Sequence, residues 1–248
     1  MKKIVFSIGT LVLASLILIS CSKKNGVATT NKLTFQLKSM GNVVSLSPTT
    51  SSPSISSALT WQSGFANIAN ITSDIESKDI EGSESSTESA AAIKKVDLFG
   101  QNQLIGNINI APGTYPNLNV WIEIAQTATE PALYLKGFYT NSAGKKTAIE
   151  FSLNEGTVQN DTNNQMQGEN QHSDPGQIEI GATAKNLVVG NNSTSSITLH
   201  LDKLMTGITD ADLDAATQTT GVIVIDKTQN PNIYAKIKAN IYNSSDIN

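Results

Sequence analysis

The spacing of apolar residues predicts that the chain consists mainly of β-strands. Leu33, Phe35 and Leu37 alternate with polar residues, and side chains two positions apart share one face of a strand. Similar alternation recurs along much of the chain and predicts half-buried strands in antiparallel sheets. The predicted strands lie near residues 33–37, 61–75, 93–98, 104–110, 120–124, 133–139, 149–153, 178–189, 197–201 and 221–225.

Two of these segments carry additional expectations. The stretch from Trp61 to Ile75 suits a helix about as well as a bulged strand. Its Thr, Asn and Ile content favours the strand, with Gly64 available for the bulge. The continuous apolar run from Gly221 to Ile225 is consistent with a strand buried on both faces.

Helices are predicted only near the C-terminal end. Thr209 as N-cap and Asp212 three residues later form a capping box, which Ile208 and Leu213 flank as a hydrophobic staple. A second helix is expected to begin at Asn230-Pro231, with isoleucine at positions 233, 237 and 241 on one face. The pattern therefore predicts a mainly-β chain: an antiparallel β-sandwich, immunoglobulin- or transthyretin-like, with one short helix and a C-terminal helix.

Three polar segments interrupt the predicted domain, which covers residues 32–248. Residues 45–57 are rich in Ser, Thr and Pro, and Pro48 and Pro53 exclude a central strand there. Residues 79–89 are acidic and rich in Ser, and residues 156–176 contain almost no apolar side chains. All three segments are expected to be solvated loops.

The N-terminus has the organisation of an export signal. Lys2 and Lys3 precede an apolar stretch from Ile4 to Ile19, which is shorter than the roughly 20 residues that span a bilayer. The sequence Leu-Ile-Ser-Cys that ends at Cys21 resembles the bacterial lipobox. We expect a signal peptide over residues 1–20, acylation of Cys21 and a tether over residues 21–31. The alternative is a soluble secretory signal with a chance cysteine.

Composition narrows the range of functions. All 17 basic residues are Lys, and 21 acidic residues bring the net charge to −4, which argues against nucleic-acid binding because phosphate contacts need clustered cations. Cys21 is the only cysteine, which excludes disulfides within the chain and zinc sites made of several cysteines.

Three segments resemble a known family. They read VDLFGQNQLIGNINIAPGTYPNLNVWIEI, ALYLKGFYTNSAGKKTAIEFSL and ITLHLDKLMTGITDADLDAATQTTGVIVID. Each segment contains one motif. The first has a Pro-Gly-x-Tyr turn at Pro112, Gly113 and Tyr115, the second an Ala-Leu-Tyr-Leu-x-Gly strand at 132–137, and the third a Thr-x-x-Asp-Leu helix at Thr209, Asp212 and Leu213. Over roughly residues 30–245 the chain resembles an uncharacterised lipoprotein family of Bacteroidetes-type bacteria. The resemblance implies a β-sandwich on a lipidated tether and carries no catalytic residues, and the segment 156–176 departs from its pattern.

The sequence offers little that could hold a metal ion or perform catalysis. Asp210, Asp212 and Asp214 resemble the start of a calcium loop, but Ala215 and Gly221 stand where that loop needs Gly and Glu. We expect these aspartates to serve the helix start, with a weaker, irregular calcium site involving Asp202 or Asp226 as the alternative. His172 and His200 are isolated from each other, and no nucleophile elbow, phosphate loop or dinucleotide fingerprint occurs. No cofactor is expected.

Aromatic residues are the remaining candidates for ligand contact. Trp121 and Tyr134 are predicted to point away from the core face of their strands and, with Trp61, could form a platform on which sugars stack. The alternative places them beneath a helix or in the second half of the core.

The sequence thus leaves three functional hypotheses to be tested. The first is a non-enzymatic lipoprotein, anchored by lipid in the outer membrane, with a structural, adhesive or binding role and an unidentified protein or glycan partner. The second is a carbohydrate-binding accessory lipoprotein that uses the aromatics. The third, a hydrolase of unrecognised type, has no supporting residues. Ser22 resembles the residue usual for outer-membrane sorting, and the periplasmic or surface orientation stays open.

Overall fold

The computed structural model describes residues 31–46, 57–76, 83–155 and 178–248, and the chain is mainly β within them. The signal peptide, Cys21, His172 and the segment 156–176 lie outside the described residues, as do nearly all of the tether and most of the loop 45–57. The elements are β1 (Asn31–Met40), β2 (Val43–Ser45), β3 (Ala58–Glu76), β4 (Ser83–Asp97), β5 (Gln103–Ile110), β6 (Gly113–Ile124), β7 (Leu133–Thr140), β8 (Lys146–Leu153), β9 (Ile178–Val189), β10 (Ser193–His200), α1 (Leu201–Leu204), α2 (Asp210–Asp214), β11 (Gln218–Thr219), β12 (Val222–Ile225), α3 (Pro231–Asn240) and β13 (Ser245–Ile247).

The described strands form two open sheets, consistent with the predicted sandwich. The smaller sheet has the order β13-β10-β1-β5. The larger has the order β11-β12-β8-β7-β3-β6-β9, and β2 and β4 also pair with β3. Neighbouring strands are antiparallel except for β1 beside β10 and β12 beside β8, which are parallel. The sheets are therefore mixed and not purely antiparallel.

The two sheets and all three helices contribute to one hydrophobic cluster. Phe35 of β1 and Phe151 of β8 are fully buried in it, although they belong to different sheets. Leu213 of α2 and Ile237 of α3 join the same cluster. Burial of these side chains is the main stabilising contribution to a fold of this kind.

β3 organises the larger sheet because it is long enough to pair with two strands along one edge. Its first half, from Ala58 to Ala66, pairs with β7, and its second half, from Ile68 to Glu76, pairs with β6. The bulge predicted in this strand is present between Trp61 and Ser63, and a second follows between Ile68 and Asn70. Gly64 allows close approach instead: a Cβ there would lie 2.5 Å from the backbone oxygen of Tyr134.

Three local predictions are wrong. The loop 79–89 is largely strand, because residues 83–89 of β4 pair with the second half of β3, and backbone pairing does not require apolar side chains. The strand near 197–201 ends at His200, and Leu201 begins α1. In β12 only Ile223 and Ile225 are buried, whereas Val222 and Val224 on the other face are half-buried.

Both predicted helices are present. The capping box of Thr209 and Asp212 is formed at α2, and Ile233, Ile237 and Ile241 are buried along α3 and its C-cap. Asn230 stands at the N-cap of α3 in the left-handed conformation, with a φ of 54°. Its side chain bonds to the backbone of residues 217 and 224 instead of capping the helix.

Candidate functional site

Trp61 is not a ligand-facing residue. It points from β3 into the core, where only 1% of it is exposed. The prediction that it faces a ligand is therefore wrong. The bulge after Trp61 shifts the alternation of β3, and sequence alone did not determine which face its side chain takes.

Tyr134 lies on the outward face of β7, packed against neighbouring side chains. Its ring is 5.6 Å from that of Phe65, and the Lys95 ammonium lies 3.9 Å from the centre of the Phe65 ring. Lys95 also pairs with Glu130. Burial, followed by the nearby charge of Glu150, raises the pKa of the Tyr134 hydroxyl. The cluster is a cation–aromatic arrangement on the sheet surface.

Trp121 lies on the outward face of β6, far from Tyr134. Their cross-strand partners on β3, Thr72 and Phe65, are seven positions apart, which corresponds to about 20 Å along a strand. The structure therefore does not join Trp121 and Tyr134 into one platform.

Trp121 is instead paired with Tyr242, which follows α3. The indole nitrogen of Trp121 donates a hydrogen bond to the Tyr242 hydroxyl oxygen at 3.1 Å. Gly181 of β9 is the cross-strand neighbour of Trp121, and a Cβ at that position would lie 3.2 Å from the Tyr242 ring. Glycine thus lets the tyrosine ring lie close to the sheet beside the tryptophan.

The segment that carries Tyr242 connects the two sheets. The Gly181 amide donates to the Tyr242 carbonyl at 3.0 Å, and the Ser245 hydroxyl donates to the Gly181 carbonyl at 2.5 Å. These contacts join the segment to β9 in the larger sheet, while β13 pairs with β10 in the smaller one. Tyr242 is therefore positioned by both sheets.

A cleft of about 250 Å³ lies beside the Trp121–Tyr242 pair. Its walls combine these two aromatic rings with amide, hydroxyl and carboxylate groups, contributed by Asn119, Thr183, Asn243, Ser245 and Asp246. Thr183, Tyr242 and Asn243 are exposed, so the cleft is accessible from solvent. We refer to it as the Trp121–Tyr242 cleft.

Asp246 connects this cleft to His200. The Nε2 atom of His200 is 2.6 Å from a carboxylate oxygen of Asp246, and its Nδ1 atom is 3.9 Å from one of Asp202. The hydroxyl of Ser244 donates to the Ile241 carbonyl, and that of Ser245 donates to Gly181. His200 thus holds the C-terminal strand through Asp246, and neither neighbouring serine hydroxyl is directed to its ring.

The three aspartates of α2 do not converge. Asp210 accepts from the Ala211 amide, and Asp214 accepts from the Tyr139 hydroxyl at 2.9 Å. Asp212 completes the capping box and pairs with Lys236 at 2.9 Å. Within the described ranges no group of three His, Cys, Asp or Glu side chains could hold a metal ion, and Asp202 and Asp226 belong to no such group.

A larger and more open cleft, of about 540 Å³, lies between α2 and the start of α3. Its polar lining is used to build the turn before α3. Asn230 donates to the carbonyls of Thr217 and Val224, and the Asp226 carboxylate accepts from Thr228 and Gln229. The polar residues here serve local structure.

Tyr242 is the residue of the site that the sequence did not indicate. It lies 121 positions after Trp121 and directly follows the isoleucine stripe of α3, so no local pattern relates the two rings. Asn119 and Thr183 belong to the polar positions of predicted strands, but alternation alone assigns no role to them.

The class that the structure defines is a mainly-β protein with two open sheets and an aromatic–polar cleft at one sheet edge. Comparison with family models, with curated proteins and with solved structures finds no match to the chain. In the part of the chain that the structure covers, none of the helices is both long and apolar enough to cross a membrane.

Proposed function

We propose that the protein is a lipid-anchored component of the bacterial cell envelope whose β-domain has a non-catalytic binding role. The Trp121–Tyr242 cleft carries the binding part of this proposal, because concave sites with a few polar groups beside aromatic walls are typical of ligand pockets. The lipobox-like sequence that ends at Cys21 supports the lipid anchor, and Ser22 supports its location in the outer membrane. The resemblance to Bacteroidetes-type lipoproteins agrees with the anchor.

The chemistry around the cleft supports binding over catalysis. Both ring nitrogens of His200 face carboxylates, so among the described residues the imidazole has no hydrogen-bonded hydroxyl of the kind that a serine nucleophile would present. The hydroxyl of Ser245 is bonded to a backbone carbonyl. Esterase, glycosidase and protease screens test the non-catalytic proposal. Turnover in any of them would overturn it, provided that one point change in the cleft abolishes the turnover.

The lipid anchor is tested in cells. Globomycin, which inhibits lipoprotein signal peptidase, should cause the uncleaved precursor to accumulate. Cys21→Ser should likewise leave the precursor uncleaved, because it removes the cysteine that is acylated before cleavage. Ser20→Ala is the matched control, because it keeps a small residue before the cysteine and should be processed normally. Normal processing in globomycin would contradict the anchor.

Orientation decides where the cleft acts. Protease treatment of intact cells should digest the domain if it is displayed on the surface, which favours adhesion or capture. Protection that disappears when the outer membrane is opened would assign the binding role to the periplasm.

A further inference from the structure

We infer that the Trp121–Tyr242 cleft binds a neutral saccharide, one sugar ring at a time. The inference rests on the proposed binding role and names its ligand class. It also replaces the sugar platform expected from Trp61, Tyr134 and Trp121 with a site formed by Trp121 and a tyrosine from the other end of the chain.

The dimensions of the cleft suit a ring-sized ligand. Its volume of about 250 Å³ is below the roughly 300–1,000 Å³ of pockets that hold drug-sized molecules. A sugar ring has an apolar face of C–H groups and a periphery of hydroxyls, so it needs an aromatic surface next to polar groups. The Trp121–Tyr242 pair supplies the aromatic surface at the wall of the cleft.

The polar groups match hydroxyls, which both donate and accept hydrogen bonds. The Asn119 carbonyl oxygen accepts from the Thr183 hydroxyl at 2.8 Å, which leaves the amide nitrogen of Asn119 as a donor. The Asn243 amide is exposed at the cleft and offers a donor and an acceptor. The Asp246 carboxylate adds an acceptor at Oδ1, because its Oδ2 faces His200 at 2.6 Å, and charge-assisted hydrogen bonds are the stronger kind.

The charges around the cleft favour a neutral ligand over an anionic one. Asp246 is the charged side chain among the described residues that line it, and no lysine does. Next to Trp121 along the same two strands, Glu123 faces Glu179. Two lysines lie on neighbouring strands: Lys185, paired across the strands with Asn117, and Lys38, which is two strands from Asp246. An anionic sugar would meet more negative than positive charge.

The site is also preorganised. The hydrogen bond between Trp121 and Tyr242, the close contact of Tyr242 with Gly181 and the attachment of the segment to both sheets hold the two rings before any ligand arrives. Preorganisation reduces the entropy that binding must overcome.

The aromatic surface that contains Phe65, Tyr134 and Phe138 is less suitable for a sugar. Lys95 lies over the Phe65 ring at 3.9 Å and Lys146 over the Phe138 ring at 4.1 Å. These ammonium groups occupy ring faces on which sugar C–H groups would have to lie. Tyr134, beside Phe65, therefore serves as the control position.

The two tryptophans provide a direct measurement. Trp61 is buried in the core and Trp121 lies at the cleft, so a ligand-dependent change in tryptophan emission reports on Trp121. The full-length protein in detergent is titrated with the methyl glycosides of glucose, galactose and mannose and with N-acetylglucosamine. At least one should give a saturable change, and glucuronate should bind more weakly.

Variants locate the site. Asn119→Ala removes the amide donor and should weaken binding about three- to tenfold, as expected for one lost hydrogen bond. Tyr242→Phe removes the hydroxyl that holds the Trp121 ring and should weaken binding by a similar factor, because the site is then less preorganised. Tyr134→Ala should leave the affinity unchanged. Circular dichroism of each variant confirms folding, so that a loss of binding is not misread as unfolding.

The possible outcomes are distinct. If none of the sugars changes the emission of the folded protein, or if Tyr242→Phe and Asn119→Ala bind as the unchanged protein does, the saccharide site is rejected. Equal or tighter binding of glucuronate overturns the neutral-ligand assignment. Membrane fractionation is measured on the same preparations. An anchored protein without sugar binding contradicts only this inference, and sugar binding by an unanchored protein contradicts only the anchor.

Discussion

Gly137 shows how a single residue sets the distance between two strands. It lies in β7 opposite Trp61 of β3, and a Cβ placed there would be 2.1 Å from the Thr60 carbonyl oxygen and 2.8 Å from the Trp61 Cα. Both neighbouring atoms are backbone, so the contact cannot be relieved by a side-chain rotation. This explains the glycine that ends the Ala-Leu-Tyr-Leu-x-Gly segment.

Gly137→Ala is expected to lower the free energy of unfolding by about 1–3 kcal/mol, the usual cost of inserting an atom into a packed interior. Gly113→Ala is the matched control, because a Cβ there meets only ordinary contacts at 3.8 Å or more. Urea denaturation of both variants measures the difference. Equal stability of the two would contradict the close approach of β7 and β3.

Asp212 is the residue at which charge contributes to the stability of a helix start. The hydrogen bond from Lys236, followed by that from the Thr209 backbone, lowers the pKa of its carboxyl group. A carboxyl group whose pKa is lower in the folded than in the unfolded protein stabilises the fold above the unfolded value of about 3.9. The contribution is lost as the pH falls through the folded pKa.

We therefore expect Asp212→Asn to be less stable than the unchanged protein at pH 7. This gap in stability should narrow as the pH is lowered from about 5 to below the folded pKa of Asp212. Other carboxylates contribute equally to both proteins and cancel in the comparison. Thermal unfolding at several pH values measures the gap. A gap that is constant across this range would show that the Asp212 charge does not stabilise α2.

At the scale of elements, the C-terminal segment joins the two sheets. Residues 242–248 bond to β9 at Gly181 and to β10 along Ile197, Thr198 and Leu199. β9 is the edge strand of the larger sheet, and β10 lies next to the edge of the smaller one. The segment therefore connects the two sheets along this side. It also carries one ring of the cleft.

Ile247→Ala is expected to reduce stability by about 2–5 kcal/mol, because Ile247 is only 6% exposed and the substitution leaves a cavity. Its local effect should be faster hydrogen exchange at the Gly181 amide, which donates to Tyr242. Ile105→Ala, on the opposite edge strand of the smaller sheet, is the control with the same burial. Equal protection of Gly181 in the two variants would mean that β13 does not hold Tyr242 in place.

At the scale of the whole molecule, the single hydrophobic cluster predicts that the described part of the chain unfolds as one unit. Trp61 lies in the cluster and Trp121 lies at the surface of the same sheet. The two residues should therefore report the same transition.

Two variants make this measurable. Trp121→Phe leaves Trp61 as the reporter, and Trp61→Phe leaves Trp121. In each variant the midpoint of the urea transition from fluorescence should equal the midpoint from far-ultraviolet circular dichroism. Separate midpoints within one variant would indicate that the cleft region unfolds independently of the core.

Local patterns in the sequence predicted much of the fold because they reflect interactions between near neighbours. Alternation identified β1, β7 and β8, and the spacing of Thr209 and Asp212 identified the capping box, since both depend on residues within one element. The first part of β4 was missed because it lacks an alternating apolar signal and is defined by its pairing with β3. Its backbone hydrogen bonds depend on a partner strand, which no local pattern specifies.

The sequence by itself determined the mainly-β class, the two helices that begin near Thr209 and Asn230 and the lipobox-like segment around Cys21, because each is expressed in the order and spacing of adjacent residues. Only the tertiary structure decided that Trp61 is buried, that Tyr134 is separate from Trp121, and that Tyr242 is the partner of Trp121. These outcomes depend on strand register, bulges and the crossing of the C-terminal segment between sheets. Such features depend on residues from separate elements, which in the case of Trp121 and Tyr242 lie 121 positions apart, and the spacing of neighbours along the chain carries no information about them.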